Sequence, residues 1–112
     1  MNIIHLSSKT EISAIKNKLK YSLIFKHSTR CPISSMALNR IERSKELKEQ
    51  EVDFYLLDLI QHRDISAEIA ETFGVSHESP QILLIKNGEC ILDASHMGID
   101  PEEICLILNQ SN

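Results

Sequence analysis

Tyr21-Ser22-Leu23-Ile24-Phe25-Lys26-His27-Ser28-Thr29-Arg30-Cys31-Pro32-Ile33-Ser34 passes from a strand pattern to a helical one. Leu23, Ile24 and Phe25 are contiguous apolar residues, as a strand covered on both faces requires. From Ile33 onward, Met36, Ala37 and Ile41 recur at helical spacing, which predicts a helix of about four turns. Pro32 suits the first turn of that helix, where a missing N–H costs nothing. Cys31 therefore stands at a strand-to-helix junction, where free backbone N–H groups and the positive end of the helix dipole converge. A thiol placed there is expected to lose its proton more readily than a free one, and the thiolate is the reactive form. Three residues on, where a two-thiol redox motif would carry its second cysteine, the chain has Ser34. The centre reads as one that works with a single thiol.

Working outward, Ser8-Lys9-Thr10-Glu11 reads as a capping box that opens a helix with Ile12, Ile15 and Leu19 on one face. The residues before it leave room for a first strand without requiring one. Residues 52–59, rich in Val, Phe, Tyr and Leu, read as another strand. Asp64 can cap the next helix, whose stripe is Ile65, Ile69, Ala70 and Phe73 and whose end is Gly74. A polar loop then runs to Pro80. Residues 81–86 and 89–94 flank Asn87-Gly88, the strongest short hairpin signal. Asp100-Pro101-Glu102-Glu103 supplies an N-cap, a proline at the first helical position and acids in the first turn. Ile104, Ile107 and Leu108 form that helix's buried face. A βαβ unit followed by a helix, a hairpin and a closing helix predicts an α/β fold, a central mixed sheet with helices on both faces. That is the thioredoxin-like plan. It puts Cys31 at the carboxyl end of a central strand, where open α/β sheets carry their chemistry.

The bulk numbers agree with this plan. At 112 residues, a single domain spanning 1–112 is expected, large enough to bury a core without staples. The net charge of −4 and the lack of a broad basic face argue against a nucleic-acid partner. Lys16, Lys18 and Lys20 read as the solvated side of a helix. Scarce aromatics, with no Trp, also disfavour a base-stacking platform. Cys31, Cys90 and Cys105 are too far apart in sequence for a metal-ligand spacing, and their odd number disfavours a disulfide scaffold. The expectation is free thiols in the cytoplasm, and no signal peptide or membrane span is read in the chain.

The stretch from Phe25 to Ser34 resembles the monothiol bacilliredoxins, whose motif is Thr-Cys-Pro-Ile-Ser. Ile69-Ala70-Glu71, Phe73-Gly74-Val75, His77-Glu78-Ser79-Pro80-Gln81, Leu84-Ile85-Lys86, Gly88 and Ser95-His96 are similar as well. One position departs: Arg30 precedes the cysteine, where the motif has Thr. The resemblance implies a thiol–disulfide oxidoreductase that holds no bound cofactor. Its co-substrate would be bacillithiol, the low-molecular-weight thiol some bacteria use in place of glutathione. Its partners would be client proteins capped by bacillithiol in mixed disulfides, and a monomer is the default state.

By that resemblance Cys31 is the nucleophile, with Arg30, Pro32, Ser34, Ser79 and Pro80 around the substrate. The Ser79–Pro80 bond is expected to be cis and to face the cysteine, with the Ser79 backbone offered to an extended ligand as in strand addition. Arg30 either pairs with the malate carboxylates of bacillithiol or is a solvated loop charge. His27 either stabilises the thiolate when protonated or is a partly exposed bystander. His77 and Glu78 can line a substrate groove or hydrogen-bond within their loop. Cys90 and Cys105 read as small packing residues. Two other functions stay open. Monothiol glutaredoxins that share an iron–sulfur cluster carry Cys-Gly-Phe-Ser, unlike Cys31-Pro32-Ile33-Ser34, and a thioredoxin-like adaptor would keep its cysteine without using it. No metal site is expected.

Overall fold

The structure, a computed structural model, describes residues 1–110. Its strands are β1 (Asn2–His5), β2 (Ser22–His27), β3 (Asp53–Asp58), β4 (Gln81–Lys86) and β5 (Glu89–Ser95). They form one sheet in the order β1-β3-β2-β4-β5. β1 and β2 run parallel to β3, and β4 runs antiparallel to both β2 and β5. The helices are α1 (Thr10–Lys16), α2 (Pro32–Arg43), α3 (Lys45–Lys48), α4 (Arg63–Phe73) and α5 (Pro101–Gln110), with a 3-10 turn at His96–Gly98.

The apolar run in β2 follows from its central place. Side chains alternate across a strand, so Leu23 and Phe25 pack with Ala37 and Ile41 of α2 and Ile104 and Leu108 of α5. Ile24 faces the other way, with Ile12 and Ile15 of α1 and Ile65 and Ile69 of α4. Each fully buried side chain of this kind contributes about 1.5–3 kcal/mol. The expected mixed sheet covered on both faces is the one observed.

Local chemistry sets the turns. Asn87 and Gly88 have φ of 53° and 77°, the positive values a two-residue hairpin needs. Gly74 closes α4 in the left-handed conformation. Asp100 Oδ1 accepts from Glu102 N at 3.0 Å and caps α5 as anticipated.

Several expectations are corrected. The capping box holds in half: Glu11 Oε1 accepts from the N–H groups of Ser7 and Ser8, while Ser8 Oγ accepts from Thr10 N instead of Glu11 N. α1 ends at Lys16, so Leu19 lies beyond it and is exposed, because the chain turns there to bring Lys18 onto Asp53. The helix after Cys31 breaks at Ser44, whose Oγ caps α3 by accepting from Leu47 N. Its buried face is Ser34, Ala37 and Ile41, whereas Ile33 and Met36 are 40% and 59% exposed. The serine goes inward because its hydroxyl finds partners there. α4 begins two residues early, with His62 at its N-cap and Asp64 in its first turn. Among the described residues no helix is long and apolar enough to cross a membrane.

Candidate active site

The register gathers four chain segments at one end of the sheet. His27 closes β2 opposite Asp58 of β3, so the cysteine loop and the loop holding Leu59 and Ile60 leave side by side. β4 runs the other way and Gln81 pairs with Lys26, which brings Ser79 and Pro80 to the same end. Ser95 pairs with Gln81, and His96 N donates to the Pro80 carbonyl at 3.1 Å. The Ser79–Pro80 peptide bond is cis.

Within this frame Cys31 is the N-cap of α2, half-buried, in extended conformation. Its N–H donates to the Ser28 carbonyl at 3.1 Å and its own carbonyl accepts from Ser35 N. No side chain caps the helix and no acid occupies its first turn, so no carboxylate competes there for the positive end of the dipole. Arg30 and Pro32 are exposed on either side.

Ser34, unlike its neighbours Arg30 and Pro32, turns away from solvent. It is fully buried, and its Oγ accepts from Ser28 N at 3.0 Å and lies 2.7 Å from His27 Nδ1. A buried hydroxyl hydrogen needs an acceptor. Nδ1 therefore accepts, and the ring proton is on Nε2. Ser34 ties the loop to the end of β2. Burial also pushes the His27 imidazole below its ordinary range, although Asp58 and Glu42 oppose this. Of the two roles considered for His27, a protonated partner of the thiolate and a partly exposed bystander, the lowered imidazole favours the second.

A cavity of about 550 Å³ opens next to this loop. Ser28 forms its edge, and Leu59, Ile60 and Ala67 its apolar wall. Arg63, Ser66 and His77 supply the polar side. His77 thus lines a groove, one of the two roles considered for it. Glu78, the other candidate there, offers its backbone N–H to Gln81 Oε1.

A buried lysine lies behind the cavity. Lys26, in the middle of the sheet, has no exposed surface. Its Nζ lies 3.4 Å from His77 Nδ1, which is also 3.0 Å from Ser66 Oγ. Burial pushes the Lys26 ammonium down to about 8, so it stays mostly protonated at pH 7. An ammonium can only donate, hence Nδ1 of His77 accepts and its Nε2–H is a donor without a partner among the described residues. Burial and the Lys26 charge both hold the His77 imidazole below its usual range, although Glu78 opposes this. A lysine closing an otherwise apolar run, in a strand covered on both faces, was the available signal.

The other thiols stand apart. Cys105 is buried in α5, and Cys90 Sγ donates to the Leu92 carbonyl in β5. Burial raises both above the ordinary thiol range. Both match the packing role expected of them. All three cysteines are free, and among the described residues no group of three His, Cys, Asp or Glu side chains could hold a metal ion.

The sheet order and the placement of Cys31 and cis-Pro80 are those of the thioredoxin fold. One solved thioredoxin-fold protein is 36% identical, covers 93% of this chain and 91% of its own, and superposes with a TM-score of 0.82. The Malassezia sympodialis thioredoxin is 22% identical, with coverage of 98% and 90% and a TM-score of 0.69. A thioredoxin variant from Halobacterium salinarum is 15% identical, with coverage of 97% and 89% and a TM-score of 0.72. The class is thus a thiol oxidoreductase built on the thioredoxin fold. Within it, residues 4–104 match the family model of the monothiol bacilliredoxin BrxC, and the chain belongs to that family.

Proposed function

We propose that the protein removes bacillithiol from mixed disulfides on client proteins. The observation that carries this reading is the single thiol at the active end of the sheet. Cys31 is accessible there, while the position of a second cysteine holds Ser34, whose hydroxyl is buried and committed to His27 and Ser28. In the first step the Cys31 thiolate attacks the bacillithiol sulfur. A Cys31–bacillithiol disulfide forms, the client–bacillithiol bond breaks, and the client leaves as a thiolate that takes a proton from water. Ser34 cannot resolve the new disulfide. A free bacillithiol thiolate attacks it instead, releasing Cys31 and forming bacillithiol disulfide. The co-substrate is therefore the thiol itself, with no bound cofactor, and three free thiols suit a reducing cytoplasm.

The strand register supports the same reading, because the pairing of Gln81 with Lys26 brings the Ser79 backbone to the end of the sheet that carries the cysteine loop, where an extended segment would pair. With excess bacillithiol, Cys31→Ala is expected to slow removal of the cap from a model client to the uncatalysed rate. Removal at an undiminished rate by the folded variant would sink the proposal and favour an adaptor.

A further inference from the structure

The charges around the cavity exceed what thiol exchange at Cys31 requires. Elsewhere a half-buried lysine is paired: Lys18 lies 2.7 Å from Asp53, which Lys20 also approaches at 3.5 Å. Lys26 is more deeply buried than either, yet among the described residues its one hydrogen-bond partner is the neutral ring of His77. Buried charges are normally paired or hydrogen-bonded to a counter-charge. Here the cavity puts Arg63 on its polar side and has no acid among its lining side chains. Arg63 and His77, whose Nε2–H has no partner among the described residues, thus line a space of about 550 Å³, with the Lys26 charge behind His77, a size suited to a small molecule. Its edge is Ser28, whose carbonyl holds the N–H of Cys31.

We propose that this cavity binds the carboxylate-bearing portion of a low-molecular-weight thiol while its sulfur is exchanged at Cys31. Arg63 pairs with the carboxylate, His77 Nε2–H donates to it, and Lys26, acting through His77, balances its charge. The proposal rests on the de-capping reading above and deepens it: specificity for the small thiol lies with Arg63, not with Arg30, which stands exposed beside the cysteine. The malate of bacillithiol, with two carboxylates, has the charge to match Lys26 and Arg63. Leu59, Ile60 and Ala67 would pack against the uncharged part of the molecule.

The test compares two caps on one client protein: bacillithiol, and the same cysteinyl-glucosamine lacking its malate. Rates of removal are measured for wild type, Arg63→Gln, Arg30→Gln and Arg43→Gln. Arg63 is exposed at the first turn of α4, so its replacement leaves the core intact. Arg43, at the far end of α2, controls for net charge. The wild type is expected to prefer the malate-bearing cap by about tenfold or more, the scale of a charge-assisted pair. Arg63→Gln should bring that ratio close to one, while Arg30→Gln and Arg43→Gln keep it. An unchanged ratio in Arg63→Gln, a ratio lost in Arg30→Gln, or no preference in the wild type overturns the assignment. A wild type that removes neither cap overturns the de-capping reading, and this one with it.

Discussion

Lys26→Met is expected to melt about 8 °C above the wild type at pH 7, a gain of about 2 kcal/mol. The lysine keeps its charge in a position with no exposed surface, next to a neutral imidazole. Methionine has a similar length, fills the same space and carries no charge to desolvate. The pH dependence has a definite sign. Lys26 falls to about 8 in the folded protein from its ordinary 10.5. Below pH 8 both states hold the proton and the folded state bears the full penalty, about 3 kcal/mol. Between about pH 8 and 10.5 the unfolded chain binds more protons than the folded one, so the wild type regains stability as pH rises. The gap between wild type and Lys26→Met should narrow across that window. Cys90 and Cys105, raised by burial, pull stability the other way at high pH. They are common to both proteins and cancel in the difference. A Lys26→Met variant that melts at or below the wild type at pH 7 would contradict this account of the charge.

Gly88→Ala is expected to cost about 3 kcal/mol, a fall of roughly 12 °C in Tm. Two effects combine. The residue has φ of +77°, which a side chain resists by about 1 kcal/mol. A Cβ would also stand 2.6 Å from the Lys16 carbonyl oxygen, so the hairpin or the end of α1 must move. Gly74→Ala separates the two, since Gly74 has φ of +66° and open space around it. That variant should lose only about 1 kcal/mol. The Gly88 turn joins the ends of β4 and β5 far from Cys31, so folded Gly88→Ala should keep its rate of exchange. Equal losses from the two alanines, measured by thermal melts, would remove the clash from the explanation.

The fold was legible because the strong signals were local. Leu23-Ile24-Phe25 announced a doubly covered strand, Asn87-Gly88 a hairpin, and Asp100-Pro101 a helix start, and each stands where it was read. Faces were harder to place. The stripe through Ile33 and Met36 looked like the buried side of α2, but Ser34 turns inward because His27 and Ser28 satisfy its hydroxyl. Periodicity counts apolar residues and cannot see a serine whose partners lie outside its own helix. For the same reason the helix beginning at Cys31 was legible, while the cavity beside it was not. Ser28, Arg63 and His77 come from three separate segments, and only the pairing of β2 with β3 and β4 brings them together. Lys26 ends an apolar run, and the depth of its burial appears only once α4 and His77 cover it.

The most direct test of one-thiol exchange follows a single turnover by intact mass, with protein and bacillithiol-capped client in equal amounts and no free bacillithiol. The predicted result is a bacillithiol adduct on Cys31 that appears at the same rate, and in the same amount, as the free client thiol. A client joined to Cys31 with bacillithiol released, or a capped client left intact by the folded protein, would contradict it.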